Sequence, residues 1–247
     1  YIQGAILLIE SAIMVLPIAT ALIYRETSGV WFFYTALAAA ICGFAAMKLS
    51  KPRTKTIYAK EGLITVALGW IVLSLVGALP FTLSGEIPFY LDAVFEMISG
   101  FTTTGSSILP NVEALSRCML LWRSFSHWLG GMGILVFMLA IVKMEGGQGI
   151  HLLRAESPGP TVGKMVPRMV DSSKILYTIY FALTLVQVVF YLAGGMPLFD
   201  SLCNAFATAG TGGFSIKADS FASYSMYAQT VTTIFMALFG VNFSVYF

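Results

Sequence analysis

Two short segments rich in threonine and glycine carry the residues whose types and spacing are best suited to chemistry in this chain. They are Thr103-Thr104-Gly105-Ser106, called here the first Thr/Gly segment, and Thr211-Gly212-Gly213-Phe214, the second. Glycine adopts backbone angles that are closed to other residues, so such a segment can aim successive carbonyl oxygens inward, and threonine adds a hydroxyl oxygen. A ring of such oxygens replaces the hydration shell of an alkali cation. We therefore expect an alkali cation, with contacts centred on four residues: Thr103, Thr104, Thr211 and Gly212.

Both segments occupy the same place in an internal repeat. Proline and aromatic residues followed by an aspartate precede each segment, with Asp92 in the first copy and Asp200 in the second. Aligning the two aspartates places Gly105 opposite Gly213, thirteen residues downstream in both copies. A rival register would pair Gly105 with Gly210, but it does not align the two entrances. Two such segments in register are unusual for ordinary exposed loops.

A short apolar run, residues 93–101 in the first copy and 201–209 in the second, leads into each segment. Neither run is long enough to cross a bilayer, so both are predicted to be re-entrant half-helices. Irregular backbone at membrane depth is tolerated only where protein buries it or where it lines a water-filled cavity. The half-helices end at the segments, and the negative end of a helix dipole favours a cation there.

The composition predicts a membrane protein. Hydrophobic residues make up 57% of the chain and charged residues 11%, against roughly half and a quarter in a soluble domain. The mean hydropathy is +0.83, and the apolar residues fall in runs of about the length that spans a bilayer. Six spans are predicted: residues 2–24, 30–47, 62–83, 118–142, 175–192 and 226–247.

The domain organisation follows from these spans and from the basic residues between them. Lysine and arginine concentrate after the second and fourth spans, so those loops and the N-terminus are predicted to be cytoplasmic. Residues 85–116 and 194–224 then lie outside. The predicted units are two leading helices (1–47), a basic cytoplasmic loop (48–61), a first pore repeat (62–142), a cytoplasmic linker (143–174) and a second pore repeat (175–247).

Five ionisable residues lie close to the two segments in the sequence. We expect Asp92, Asp200 and Glu96 to cap or brace the half-helices, since carboxylates are stabilised near helix N-termini. An alternative for Glu96 is that it raises the cation concentration near the site. Arg123 and His127, four residues apart on one helix face, are predicted to pair with Glu96 or Asp92. A proton relay through His127 is the alternative.

Three glycines, Gly130, Gly131 and Gly133, follow on the same helix. Glycine weakens a helix interior. In this place it either lets neighbouring backbone approach closely or lets the helix bend, and close packing is the commoner reason.

These residues together resemble the TrkH-type potassium uptake pore subunits, whose superfamily also contains KtrB and the plant HKT proteins. The resemblance covers essentially the whole chain. The motifs that carry it are Ser99-Gly100-Phe101-Thr102-Thr103-Thr104-Gly105, Leu121-Trp122-Arg123-Ser124, Trp128-Leu129-Gly130-Gly131-Met132-Gly133-Ile134, Ala209-Gly210-Thr211-Gly212-Gly213-Phe214-Ser215 and Phe239-Gly240-Val241-Asn242-Phe243.

The resemblance implies an all-α protein of the bacterial inner membrane with a pseudo-fourfold pore. Four non-identical repeats of one polypeptide would surround the pore, and each would give one strand of a selectivity filter. The filter glycines here would be Gly105 and Gly213, and glycine rather than serine at position 105 goes with potassium permeation. The resemblance also implies a homodimer of full-length subunits and a cytosolic nucleotide-binding regulatory subunit, TrkA-like, that gates the pore.

The chain departs from this pattern because it contains two repeats where the family has four. It is therefore expected either to be a fragment or to assemble as two copies around one axis. Potassium is the expected substrate, no organic cofactor is expected, and passive transport and coupling to protons or sodium are both compatible with these residues. A sodium-permeable relative of the same architecture is the alternative within the family.

Two other classes of protein agree less well with these residues. A multipass membrane enzyme would need converging catalytic residues, and the chain has only two distant histidines with no nucleophile or metal motif. In a non-conducting structural or sensory membrane protein the repeated spacing of the two segments would be a coincidence. An ion transporter rather than an enzyme is the prediction.

Overall fold

The computed structural model describes residues 1–50, 59–133 and 169–241, and within these ranges every regular element is a helix. In chain order these are α1 Ile2–Ile13, α2 Val15–Tyr24, α3 Gly29–Leu49, α4 Ala59–Ser84, α5 Tyr90–Phe101, a 3-10 helix Val112–Ala114, α6 Arg117–Met132, α7 Met169–Ala193, α8 Leu198–Ala209 and α9 Met226–Gly240. The predicted all-α membrane class is confirmed for these residues.

In the part of the chain that the structure describes, four stretches of helix are long and apolar enough to cross a membrane: Ile2–Tyr24, Gly29–Leu49, Glu61–Ser84 and Ile175–Ala193. They agree with the first, second, third and fifth predicted spans. The first is not one continuous helix, because it breaks at Met14 into α1 and α2. Pro17 explains the break, since proline has no N–H to donate to the carbonyl of Ile13.

The fourth and sixth predicted spans are described only in part. Helix α6 has 16 residues and ends where Gly133 adopts a φ of 72°, and residues 134–142 lie outside the described ranges. Helix α9 has 15 residues, and residues 242–247 lie outside them as well. Most of the basic loop 48–61 and most of the predicted linker 143–174 also lie outside the described residues.

The half-helices α5 and α8 have 12 residues each and begin three residues earlier than predicted. At 1.5 Å per residue each is about 18 Å long, well short of the roughly 30 Å hydrocarbon core of a bilayer. The earlier start has a simple cause. The N-cap residues Phe89 and Pro197 have non-helical backbone angles, and each helix starts at the next residue rather than after the aspartate.

Helix α6 is the element that joins the two repeats. It packs against α5 of its own repeat and against α8 of the next, and α2 contacts it from the leading helices. The indole of Trp122 on α6 lies between the rings of Phe32 and Phe101, at centroid distances of 6.0 and 6.4 Å. Its Nε1 donates a hydrogen bond to the carbonyl of Gly77 in α4. Helix α6 is therefore in contact with α2, α4, α5 and α8.

Two glutamates from separate loops hold the N-terminus of α6. Glu26 accepts hydrogen bonds from the backbone N–H groups of Arg117 and Cys118, at 2.8 and 2.9 Å. Glu86 accepts from the backbone N–H and the hydroxyl of Ser116, both at 2.7 Å. The first N–H groups of a helix have no partner within it, and the positive end of the dipole favours a carboxylate there. The loops after α2 and after α4 thereby fix the N-terminus of α6.

Candidate ion-binding site

Each Thr/Gly segment begins as the cap of its half-helix. The N–H of Thr103 donates to the carbonyl of Gly100 at 3.0 Å, and the N–H of Thr104 donates to the carbonyl of Ser99 at 2.9 Å. In the second copy the N–H of Thr211 donates to the carbonyl of Thr208 at 2.8 Å. The last carbonyls of a helix have no partner within it. The helix end therefore sets where each segment starts.

The two segments share an unusual backbone conformation at two matched positions. Thr103 and Thr211 both have a φ of 55°, and Gly105 and Gly213 have φ values of 77° and 78°. A positive φ is uncommon for threonine, and it recurs here at matched positions. The preferred register, Gly105 with Gly213, is therefore confirmed by the backbone. Gly210, its rival, has a φ of −75° and caps α8 instead.

The segments lie directly against each other. A Cβ at position 105 would overlap the carbonyl oxygen of Gly212 and come within 2.6 Å of its carbonyl carbon. A Cβ at position 212 would lie 2.8 Å from the carbonyl oxygen of Thr103. Only glycine fits at either position unless the neighbouring segment moves. Backbone of one segment therefore packs directly on backbone of the other.

The remaining predicted ion-contacting residues differ in how free their oxygens are. The carbonyl of Ser106 accepts a hydrogen bond of 2.6 Å from the hydroxyl of Ser99. The hydroxyls of Thr102 and Thr104 lie 2.8 Å apart and share a hydrogen bond. The side chain of Phe214 has no oxygen and its ring is buried, so this residue can offer an ion only its backbone carbonyl.

Glu96 on α5 holds the chain as it leaves the first Thr/Gly segment. One carboxylate oxygen accepts from the hydroxyl of Ser107 at 2.7 Å and from the N–H of Ile108 at 2.6 Å. The other accepts from Nε of Arg123 on α6 at 2.8 Å. The sequence left open whether Arg123 pairs with Glu96 or with Asp92, and the partner is Glu96. This carboxylate is fully buried, and its position behind the segment is that of a brace.

Arg123 continues the same network into the second repeat. Its Nη1 donates to the carbonyl of Ser215 at 2.9 Å, and its guanidinium lies 3.5 Å from the ring centroid of Phe214. Hydrogen bonds that involve charged groups are roughly twice as strong as neutral ones. A single buried ion pair therefore ties the exit of the first segment to the exit of the second.

The second repeat contains a neutral version of this brace. The hydroxyl of Ser215 donates to the amide oxygen of Asn204 at 3.2 Å, as Ser107 donates to Glu96. These residues are equivalent in the register that pairs Gly105 with Gly213. The sequence analysis did not identify Asn204 or the two serines, although the register alone would have found them.

Asp92 and Asp200 are expected from the sequence to cap or brace the half-helices, and both lie in the first turn of their helices. Among the described residues neither carboxylate accepts a capping hydrogen bond from its helix. The carboxylate of Asp200 instead accepts from the hydroxyl of Tyr224 at 3.0 Å. Burial raises the pKa of this hydroxyl, and the charge of Asp200 raises it further, so the hydroxyl stays protonated and can donate. For Asp92 the described residues offer no hydrogen bond, and its contribution is limited to the helix dipole.

The adjacent glycines of α6 lie where the two half-helices end. A Cβ at Gly130 would overlap the carbonyl oxygen of Phe101 and lie 2.9 Å from the methyl group of Thr103. A Cβ at Gly131 would overlap the hydroxyl of Tyr180 and lie 3.1 Å from the carbonyl oxygen of Ala209. Helix α6 is continuous through both positions. Close packing, rather than bending, accounts for these two glycines.

His127 lies on α6 between the two repeats and is completely buried. Its ring centroid is 3.9 Å from that of Phe214, and its main chain packs against Gly210. No hydrogen-bonding partner is found for either ring nitrogen within the described residues. The predicted pairing of His127 with Glu96 or Asp92 is therefore not present.

A buried carboxylate that the sequence analysis missed is Glu10 on α1. It is 1% exposed, and neither oxygen has a hydrogen-bonding partner among the described residues. One oxygen faces Gly77 of α4, beside Met97 and Phe101. A lone acidic residue within an apolar span is itself a signal that could have found it.

This chain is similar to known cation transport proteins. The family model described as "TrkH: Cation transport protein" matches residues 31–247. The chain is 34% identical over its whole length to the Trk system potassium uptake protein TrkH of Vibrio parahaemolyticus and 36% identical to that of Escherichia coli K12. It is 32% identical over 99% of its length to the Trk system potassium uptake protein TrkG of Escherichia coli K12.

A crystal structure of the potassium transporter TrkH from Vibrio parahaemolyticus has a similar fold. The TM-score is 0.83 with 31% sequence identity, and the match covers 99% of this chain and 49% of that one. The chain spans about half the length of the curated relatives it matches, 51% and 52% for the two TrkH proteins. The named relatives are transporters and not enzymes.

Proposed function

Because the chain belongs to the TrkH family of cation transport proteins, we propose that it forms half of the ion pathway of a multipass potassium uptake transporter. The two Thr/Gly segments are two of the four strands of a selectivity filter. Potassium loses water at this constriction and is coordinated there by the backbone carbonyl and threonine oxygens of both segments.

The observation that carries this proposal is the paired backbone. Two segments from different repeats share alternating positive φ values and touch at Gly105 and Gly212. A coincidental pair of surface loops would have no reason to adopt matched left-handed threonines or to meet through glycines alone. Carbonyl rings that select among alkali cations need this kind of repeated, closely spaced backbone.

A cavity beside the second segment supports the proposal that further strands complete the filter. It has a volume of about 330 Å³ and its walls include Gly213, Thr232 and Met236. Counted from the N-caps of α6 and α9, Thr232 and Met236 are the equivalents of Arg123 and His127.

Arg123 and His127 form the socket into which Phe214 of the second segment inserts. The cavity beside Gly213 is the equivalent socket one repeat further on. We propose that it receives the third filter strand, supplied by a further segment of a longer polypeptide such as the relatives have. Two copies of this chain around one axis are the alternative source.

The wider assembly follows the same reasoning. The protein lies in the bacterial inner membrane with its N-terminus and basic loops in the cytoplasm and residues 85–116 and 194–224 outside. Full-length subunits form a homodimer, and a cytosolic nucleotide-binding subunit, TrkA-like, controls the opening of the pore. The Trk system named for the relatives fits an arrangement of several components.

The test is cation uptake by the assembled transporter in proteoliposomes. We expect potassium to enter and rubidium to compete with it more strongly than sodium. Equal uptake of sodium and potassium would favour the sodium-permeable alternative, and no uptake of either ion would overturn the proposal. A density map in potassium should show cation peaks beside the carbonyls of Gly105 and Gly213.

The third strand has a separate test in Gly213→Ala. Within residues 1–50, 59–133 and 169–241, nothing lies within 4 Å of a Cβ at position 213. If a third strand fills the cavity as the second segment fills its socket, the substitution should impair selectivity as severely as Gly105→Ala. A mild effect, limited to the backbone strain at position 213, would contradict the proposed third strand.

A further inference from the structure

His127 lies beside the second Thr/Gly segment and the C-terminal end of α5, so a single side chain faces parts of both repeats. The Nε2 edge of its ring lies where a Cβ of Gly212 would be, and Nδ1 lies 3.7 Å from the position of a Cβ at Gly100. One face of the ring packs on Phe214. The imidazole therefore bridges the end of α5 and the backbone of the second segment.

This contact explains why position 212 is glycine. Gly212 does not have a left-handed φ, unlike Gly105 and Gly213, so its conformation alone would allow a side chain. A Cβ there would overlap Nε2 and approach the carbonyl oxygen of Thr103 to 2.8 Å. The His127 ring and the carbonyl of Thr103 therefore both occupy the space that a side chain at position 212 would need.

We propose that His127 sets the separation of the two Thr/Gly segments and is a specificity-determining residue of the filter. The inference rests on the proposed function. His127 acts by position and does not touch the ion. Among the residues that the structure describes, its ring nitrogens have no hydrogen-bonding partner, so packing rather than a hydrogen bond holds the second segment at its distance from the first.

The physical basis is the rigidity of a close-packed site. The ring is planar and completely buried, and interiors at this packing density transmit small displacements instead of absorbing them. Removing the ring should let Gly212 and the carbonyl it carries move toward α6. Because Gly212 also touches Gly105 and Thr103, the oxygens of both segments would change their spacing, on which ion selectivity depends.

The test is a double-mutant cycle on the contact between His127 and Gly212, measured in the assembled transporter. The variants are His127→Ala, Gly212→Ala and the two together. The readouts are the potassium-to-sodium permeability ratio from reversal potentials and the melting temperature of the purified protein. Met119→Ala is the control, because Met119 is a fully buried side chain of the same helix, two turns before His127.

We expect each single substitution to lower the potassium-to-sodium permeability ratio by about threefold or more, because His127 and Gly212 are in contact and residues in contact couple strongly. The double variant should lie closer to the unsubstituted protein than Gly212→Ala does, because the new methyl group enters the space that the ring has left. Met119→Ala should lower the melting temperature and leave the ratio unchanged.

Additive effects in the cycle would overturn the inference, as would a His127→Ala variant that loses stability but keeps its permeability ratio. Either result would leave the proposed function standing, because the unsubstituted transporter would still conduct potassium. Absence of potassium conduction in the unsubstituted transporter would instead overturn the proposed function and this inference with it.

Discussion

Substitution of Gly105 by serine should damage the proposed filter far more than an equivalent substitution elsewhere. Two separate costs meet at this position. The φ of 77° is a conformation that side chains rarely adopt, and the new Cβ would overlap the carbonyl oxygen of Gly212. The first cost belongs to residue 105 alone, whereas the second requires the neighbouring segment to move.

The two costs can be estimated separately. A left-handed conformation costs a residue with a side chain about 1–2 kcal/mol. Forcing extra atoms into a well-packed site costs about 1–3 kcal/mol more. Gly105→Ser should therefore destabilise the folded protein by about 2–5 kcal/mol in total. Displacement of the Gly212 carbonyl should also reduce the preference for potassium over sodium.

Gly85→Ser is the matched control. Gly85 has a φ of +80° and no described residue lies within 4 Å of its Cβ position, so this variant carries the strain without the overlap. It should cost about 1–2 kcal/mol and leave selectivity unchanged. Thermal unfolding gives the stability of each variant, and competition between potassium and sodium in proteoliposome uptake gives the selectivity.

The reasoning would be refuted if the two serine variants lost similar stability, because the overlap with Gly212 would then contribute nothing. An unchanged potassium preference in Gly105→Ser would refute it in a second way. It would mean that the position of the Gly212 carbonyl does not influence which ion passes.

Three further predictions concern the residues that hold the two segments and the helix between them. Arg123→Met should destabilise the protein by about 3–5 kcal/mol, because it leaves a buried carboxylate unpaired, and adding Glu96→Gln should restore part of the loss. Ser107→Ala should cost about 1.5–3 kcal/mol and Ser215→Ala about 0.5–1.5 kcal/mol, since the first hydroxyl donates to a carboxylate and the second to an amide. Glu86→Ala should cost about 0.5–2 kcal/mol through loss of a helix cap. Thermal or denaturant unfolding measures all three.

Each of these predictions has an outcome that contradicts it. Independent effects of the Arg123 and Glu96 substitutions would show that the two residues do not act as a pair. A larger loss at Ser215 than at Ser107 would mean that the charge on Glu96 adds nothing to its hydrogen bond. Glu113→Ala is the control for Glu86→Ala, because Glu113 is an exposed residue outside this cap, and equal losses would argue against the capping contribution.

Part of the site could be predicted because it depends on local sequence patterns. Apolar runs of bilayer length give the spans, and the shared spacing from aspartate to glycine gives the register of the repeat. The register in turn predicts that Thr103 and Thr211 share one conformation, since equivalent local sequences follow equivalent helix ends. Capping bonds from Asp92 and Asp200 are not found among the described residues, because a carboxylate in the first turn does not by itself fix which donor it meets.

The amino-acid sequence alone determined the membrane class, the four long spans, the two half-helices and the pairing of Gly105 with Gly213. These depend on hydrophobicity and on spacing along the chain. Only the tertiary structure decided that Gly105 meets Gly212, that Arg123 joins Glu96 to Ser215 and that His127 fits against Gly212. Those contacts join residues of different repeats. Their geometry depends on how α6 packs between two half-helices, and the spacing of residues along the sequence does not encode that packing.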